Sequence, residues 1–257
     1  MSLQSNKIDL QEILNTVNTL PDISTVDGYS AGYNVGLEDG KEAAWNEFWD
    51  SYQDNGSRTN YQYGFAGWRD ENLYPKYDIV LGNGYHGAYM FYDCRCEDLT
   101  QRLEDCGVTF DTSKCGDMYQ MFGAFRGKRV PRIDCSSSMS YNRGAQYLFS
   151  NVYNLETVDA LVLQENTSLT GAFNNCKTLK NITIEGTIGQ NLDMKSCTVL
   201  SKASIINIIN HLSSTTSGLT VTLSETAVIS AYGTNYLSNQ EWLNLRATKT
   251  NWTISLV

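Results

Sequence analysis

The middle of this 257-residue chain carries five copies of one short pattern, each built around an aromatic residue or a methionine. The copies read MFYDC (90–94), MFGAF (121–125), LFSNV (148–152), AFNNC (172–176) and DMKSC (193–197). Their key residues are 31, 27, 24 and 21 positions apart. A pattern that recurs at this spacing predicts stacked units, because one short unit cannot bury its own apolar side.

Each copy places apolar or sulfur-containing side chains at fixed offsets. The key position holds Phe91, Phe122, Phe149, Phe173 and Met194. Three positions later stand Cys94, Phe125, Val152, Cys176 and Cys197. Six positions later, the last three copies have Leu155, Leu179 and Leu200. We predict that these residues form the core of the repeat.

The seven cysteines of the chain fit this core interpretation. A slot that is shared by Cys, Phe and Val is typical of a small apolar core position. Disulfide formation or metal binding is the alternative, and Cys106 with Cys115 is one pairing that the sequence leaves open. Cys94 and Cys96 are separated by a single residue, which does not match the usual spacing of zinc ligands.

Short β-like runs accompany the copies, at 108–110, 130–134, 158–163 and 182–185. Two stretches, GVTFDTSKCGDMYQMF (107–122) and AFNNCKTLKNITIEG (172–186), resemble units of the BspA-like leucine-rich repeat family. The resemblance covers residues 89–200 and implies a leucine-rich solenoid that serves adhesion or recognition. The first two copies depart from it, since Glu97 and Lys128 replace the leucine at offset six.

The expected fold class is α+β, a short leucine-rich-repeat-like β-solenoid of parallel short strands with additions at both ends. Residues 1–56 are predicted to form an N-terminal helical arm, and 57–88 an aromatic and glycine-rich N-terminal cap. The solenoid spans 89–200, and an α/β cap spans 201–257. Within that cap we predict helices in 201–213, 224–233 and 238–251, with Ser201 and either Ser238 or Asn239 as N-caps, and strands in 219–224 and 252–257.

The predicted arm contains a glycine stripe. Gly28, Gly32, Gly36 and Gly40 recur every four residues, and Tyr29 and Tyr33 follow the first two. On a helix this spacing gives a smooth side that a second helix can approach closely. One interpretation is an oligomerisation surface that binds copies of the chain or other proteins. The other is a loose arm in which the glycines only interrupt structure.

Charge and hydropathy narrow the choice of partners. The net charge is −9 and the sequence pI is near 4.7, which argues against a nucleic-acid partner. No apolar run approaches the ~20 residues that a membrane-spanning helix needs, so membrane insertion is not expected. The first residues lack the basic and apolar parts of a secretion signal, and we expect a route to the outside through assembly into a particle.

Catalytic patterns are weak in this chain. The only histidines are His86 and His211; His211 lies at the end of a predicted helix and His86 between glycines. We predict a non-enzymatic protein without cofactor or metal. The candidate ligand surface comprises Trp68, Asp70, Tyr74, Tyr85 and His86, because aromatic rings stack on sugars. A purely structural cap explains the same residues.

The surrounding segments carry a second resemblance. Three segments resemble tail or appendage proteins of phages and prophages from Gram-positive gut bacteria. They are YGFAGWRDENLYPKYDI (63–79), EWLNLRATKTNWTISLV (241–257) and the glycine-tyrosine arm. The resemblance implies a virion protein that binds a host cell-surface glycan or protein, attached to other virion proteins or to copies of itself. A bacterial surface adhesin is the alternative. A glycan hydrolase with its site in residues 59–90 is the alternative from another class.

Overall fold

The structure, a computed structural model, describes residues 66–67, 75, 78–81, 87–137 and 144–257. All of them belong to one unit, Ser57–Val257. The predicted arm, with its six glycine and tyrosine residues, lies outside the described residues, as does most of the predicted N-terminal cap. The described fold is therefore that of the repeat region and the C-terminal segment.

The described part is a mixed α/β fold in which every paired strand is parallel. The strands are β1 (Ile79–Val80), β2 (Phe110–Asp111), β3 (Arg129–Val130), β4 (Ile133–Asp134), β5 (Thr157–Leu163), β6 (Asn181–Gly186), β7 (Leu192–Met194), β8 (Leu219–Leu223) and β9 (Trp252–Leu256). β1 pairs with β2, and β7, β8 and β9 form a separate sheet in that order. β5 pairs with β3, β4 and β6. β3 and β4 are interrupted by Pro131, which has no N–H to donate.

Four helices occur among the described residues: α1 (Leu99–Asp105), α2 (Lys202–Asn210), α3 (Glu225–Tyr232) and α4 (Gln240–Ala247). The predicted helices in 201–213, 224–233 and 238–251 are confirmed within shorter bounds. Ser201 caps α2 by accepting a bond from the Ser204 amide, and Asn239 caps α4. His211 is the C-cap of α2. The sequence analysis did not predict α1, which begins at a cap formed by Asp98.

Consecutive turns form the first four copies of the pattern, and their amides alternate in direction. In the second copy, the amides of Gln120, Phe122 and Ala124 donate to carbonyl oxygens of the third copy at 2.8–3.2 Å. The intervening amides of Met121 and Gly123 close turns within their own copy. In each of the first three copies, half of these backbone donors thus join the copy to the next one, and half maintain the turn itself.

The same two backbone positions are left-handed in each of these four copies. They lie two residues before and two residues after the key phenylalanine. These residues are Tyr89, Asp93, Gln120, Ala124, Tyr147, Asn151, Gly171 and Asn175, with φ between 50° and 64°. Asparagine and glycine adopt this conformation readily, whereas tyrosine and alanine adopt it at some cost. The shared geometry shows that the four copies are equivalent in backbone as well as in sequence.

The key phenylalanines stack in chain order. Phe91 and Phe122 are 5.2 Å apart between ring centroids and nearly parallel, and Phe122 and Phe149 are 5.6 Å apart. Phe149 and Phe173 are also 5.6 Å apart, at a tilt of 30°. Every residue of the predicted repeat core is at most 2% exposed. Met194 differs from the phenylalanines because it lies in β7 rather than in a run of turns.

The second copy, which lacks leucine at offset six, fills that space in another way. In the sheet, Thr157 of β5 is paired with Arg129 of β3 on one side and with Asn181 of β6 on the other, so the three residues lie in one register. Two residues before this register, the third and fourth copies have Leu155 and Leu179, while the second copy has Gly127. The second copy also has the fully buried Phe125 where its neighbours have the smaller Val152 and Cys176. A Cβ atom at Gly127 would lie 2.6 Å from the Phe125 ring, so this ring occupies the space beside the glycine.

Helix α2 takes the place of the next strand beside β6. The Asn207 side chain accepts a bond from the Ile184 amide at 2.6 Å and donates to the Ile184 carbonyl at 3.3 Å. Ser204 Oγ accepts a bond from the Ile182 amide at 3.0 Å. These side chains satisfy backbone groups that would otherwise form an unpaired sheet edge.

Candidate functional site

The residues of the predicted ligand surface, Trp68, Asp70, Tyr74, Tyr85 and His86, all lie outside the described residues. The oligomerisation residues of the arm lie outside them as well. The structure therefore brings none of these predicted residues together. It does describe two surface features of the repeat region, a row of tyrosines and a charged face of the parallel sheet.

Four tyrosines form a row of edge-to-face contacts along the turns. Tyr92 contacts Tyr89 at 5.8 Å between ring centroids, Tyr89 contacts Tyr119 at 5.5 Å, and Tyr119 contacts Tyr147 at 5.7 Å. Tyr92 is exposed and the other three are half-buried. We call these four residues the tyrosine row. Edge-to-face packing fixes each ring and leaves part of its surface to solvent.

The backbone of the turns positions the row. Tyr89 and Tyr147 occupy the left-handed position that precedes the key phenylalanine, and Tyr119 stands one residue before the equivalent position. The row ends at Gly171, where a Cβ atom would lie 2.5 Å from the Tyr147 ring. Glycine at this position therefore allows the ring of Tyr147 to lie directly on the backbone of the fourth copy.

Ion pairs connect successive strands on the polar side of the sheet. Arg129 Nε donates to Asp159 Oδ1 at 2.7 Å, and Thr100 Oγ1 donates to Asp159 Oδ2 at the same distance. The bond to Asp159 raises the pKa of Arg129. Arg132 Nη2 lies 3.1 Å from Glu185 Oε2, which links the segment between β3 and β4 to β6. Such partly exposed pairs contribute about 0–1 kcal/mol each, so they set register more than stability.

The cysteines of the core are protected from chemistry by burial. Burial raises the pKa values of Cys135 and Cys176 well above that of an ordinary thiol. The Cys176 thiol donates to the Phe149 carbonyl at 3.0 Å, which joins two neighbouring copies. Cys106 is a free thiol, so its suggested pairing with Cys115 is not formed. Protonated, enclosed thiols are poor nucleophiles and metal ligands.

Within the described ranges, no group of three or more histidine, cysteine, aspartate or glutamate side chains is arranged to hold a metal ion. No helix in the same part of the chain is both long and apolar enough to cross a membrane.

Comparison of the chain with models of protein families, with curated proteins and with solved structures gives no match.

The tyrosine row was missed by the sequence analysis, although a signal for it exists. Tyr89, Tyr119 and Tyr147 precede the key phenylalanines by two or three residues, at spacings close to those of the repeat. The irregular offset of Tyr119 conceals the row in the sequence. Contact between the rings follows only from the stacking of the turns.

Proposed function

We propose that residues 89–200 form a short leucine-rich-repeat-like solenoid that acts as a non-enzymatic recognition scaffold. The observation that carries this proposal is the tyrosine row, which runs across three consecutive copies on the same side of the stacked turns. The stack of phenylalanines beneath it supports a rigid surface, because neighbouring copies share both ring contacts and backbone bonds.

Tyrosine is well suited to such a surface. It offers a large ring with few rotatable bonds and a hydroxyl that can donate or accept a hydrogen bond. The contacts within the row restrict these rings before any ligand arrives, so binding costs little side-chain entropy. The ligand class in this proposal is a host cell-surface glycan or protein.

The biological setting in this proposal is a phage or prophage virion, in its tail or an appendage. This part rests on the sequence resemblance of residues 63–79 and 241–257 and of the glycine-tyrosine arm. The arm would attach the scaffold to copies of itself or to other virion proteins, and multiple copies would raise the avidity of weak contacts.

Binding to whole cells tests the recognition role. Fluorescently labelled protein is added to a panel of Gram-positive gut bacteria, and bound protein is measured by flow cytometry. We expect saturable binding to some strains, with at least a tenfold loss for Tyr92→Ser combined with Tyr119→Ser. The matched control is Tyr153→Ser, because Tyr153 is 59% exposed and outside the row. Thermal unfolding of each variant confirms that it is folded.

Equal binding by the row variant and the control would reject the row as the recognition surface. Turnover of wall polysaccharide that is lost on Asp70→Ala or His86→Ala would instead support the hydrolase. Antibody labelling of induced prophage particles in the electron microscope tests the setting. Label on particles supports the virion proposal, and label confined to cell surfaces supports the adhesin.

A further inference from the structure

A carboxylate in the loop after β5 holds three hydroxyl groups. Glu165 Oε1 accepts hydrogen bonds from Ser213, from Thr215 at 2.6 Å and from Thr216 at 2.6 Å. These bonds lower the pKa of Glu165 to about 2. Ser213 in turn accepts bonds from the Thr215 and Thr216 amides. The loop after α2 is therefore fastened to Glu165 and the carboxylate remains charged at neutral pH.

The position of Glu165 follows from the order of the strands. Glu165 follows β5, and Thr187 follows β6, which ends at Gly186. The segment from His211 to Thr216 follows α2, which lies beside β6 as a third strand would. Parallel elements place their carboxyl ends at one edge, where ligands commonly bind. Gly189 permits the close approach of these segments, since a Cβ atom there would lie 2.2 Å from the Glu165 carbonyl.

A cavity of about 360 Å³ opens at this edge, lined by Glu165, Thr187, Asn210, His211, Ser214 and Lys249 among others. This volume is at the lower end of small-molecule sites, which range from about 300 to 1,000 Å³, and suits a single sugar ring.

Three of the lining residues, Glu165, Lys249 and His211, retain hydrogen-bonding capacity. Within the described part of the chain, Glu165 Oε2 has no partner. Lys249 donates one bond, to the Leu212 carbonyl, and an ammonium has three donors. His211 Nδ1 lies 2.8 Å from the Asn207 carbonyl oxygen, which can only accept a hydrogen bond. Nδ1 therefore carries a proton, and Nε2 is the ring nitrogen that remains for a bond to a ligand.

We propose that this cavity binds a neutral, hydroxyl-rich ligand, namely one sugar unit of a carbohydrate. The charges of Glu165 and Lys249 cancel, which favours a neutral ligand over an anion or a cation. A carboxylate oxygen accepts bonds from sugar hydroxyls, and the ammonium donates to hydroxyl or ring oxygens. This assignment names a ligand class for the recognition proposed above and in that sense rests on it.

Titration of the full chain with monosaccharides tests the site. The probes are galactose, N-acetylglucosamine and rhamnose, with glucosamine and sialic acid as charged comparisons, followed through backbone amide shifts of Gly186, Thr187, Ser214 and Thr215. We expect at least one neutral sugar to shift these amides with a Kd of about 1 mM, about −4 kcal/mol. Glu165→Gln is expected to weaken that binding at least tenfold.

Two further variants keep the result decisive. Glu185→Gln removes a carboxylate from the adjacent strand outside the cavity and should leave sugar binding unchanged. Ser214→Trp fills the cavity without removing a bond to Glu165 and should abolish sugar binding in a folded protein. The site is overturned if no neutral sugar shifts these amides, or if Ser214→Trp and Glu165→Gln bind as the unaltered chain does. Whole-cell binding that persists under those results would leave the tyrosine-row proposal intact.

Discussion

At the scale of single residues, Phe122 has the most demanding position in the stack. Its ring lies between those of Phe91 and Phe149, contacts Phe125 edge-on and is fully buried. Its amide also donates to the next copy. The side chain therefore packs against rings of both neighbouring copies. If it were removed, the closely packed rings on either side could not move to fill the space.

We predict that Phe122→Ala lowers the free energy of unfolding by about 3–5 kcal/mol. Urea denaturation followed by circular dichroism measures the change. Tyr153→Ala serves as the control, because that side chain is 59% exposed and its removal should change stability by less than about 0.5 kcal/mol. Similar losses for the two variants would contradict a close-packed stack.

The charge of Glu165 gives a prediction about pH. Its pKa is about 2 in the folded chain and near 4.5 in an unfolded one, with the Ser213, Thr215 and Thr216 hydroxyls as the cause. Lys249 and His211 line the same cavity. A depressed carboxylate pKa stabilises the fold above the unfolded value, and this contribution disappears as pH falls through the folded value.

We therefore expect Glu165→Gln to lower the thermal midpoint at pH 7, with the difference from the unaltered chain shrinking between pH 4.5 and pH 2. Differential scanning calorimetry at several pH values measures it. Glu185→Gln, which removes another exposed carboxylate, is the control and should show no such narrowing. A difference that stayed constant down to pH 2 would show that the hydroxyl bonds do not depend on the charge.

At the scale of elements, α2 matters because its side chains complete the sheet. Asn207 bonds both backbone groups of Ile184, as a neighbouring strand would. We predict that Asn207→Ala costs about 1–3 kcal/mol, because a buried amide loses its acceptor. Faster hydrogen exchange at Ile184, measured by NMR, should accompany the loss. Asn210→Ala, on the exposed end of the same helix, should change neither quantity.

The elements that the sequence predicted correctly depend on local signals. Ser201 and Asn239 cap helices with their own side chains, and the alternating residues of β6 and β8 are buried on one side. Helix α1 was missed because the whole of 89–200 was assigned to the repeat, and no helix was sought within it. The Asn207 bridge and the Glu165 cluster join segments 23 and 48 or more residues apart, which no local pattern encodes.

At the scale of the whole molecule, the repeat region is held together by contacts between neighbouring copies. Ring stacking, backbone bonds and ion pairs all join one copy to the next along residues 89–200. The core residues could be predicted from spacing alone, since burial follows from their fixed offsets. The tyrosine row could not be, because the offset of Tyr119 differs from those of Tyr89 and Tyr147.

We predict that removal of residues 1–41 lowers the oligomeric state and leaves the repeat region folded. The glycine stripe at Gly28 to Gly40 is the proposed association surface, and the described core contacts all lie beyond residue 66. Multi-angle light scattering measures the mass, and circular dichroism measures the fold. An unchanged number of subunits after the deletion would reject the association role of the arm.

The equal backbone geometry of the first four copies also has an evolutionary consequence. The second, third and fourth copies each receive backbone hydrogen bonds from the copy before, and the first three donate equivalent bonds to the copy after them. An internal duplication of about 24 residues, the distance from Phe149 to Phe173, would therefore bond to both neighbours without disturbing them. Recombination between copies would then lengthen or shorten the protein in whole steps. The number of stacked units could then change while the contacts by which each unit folds stayed the same.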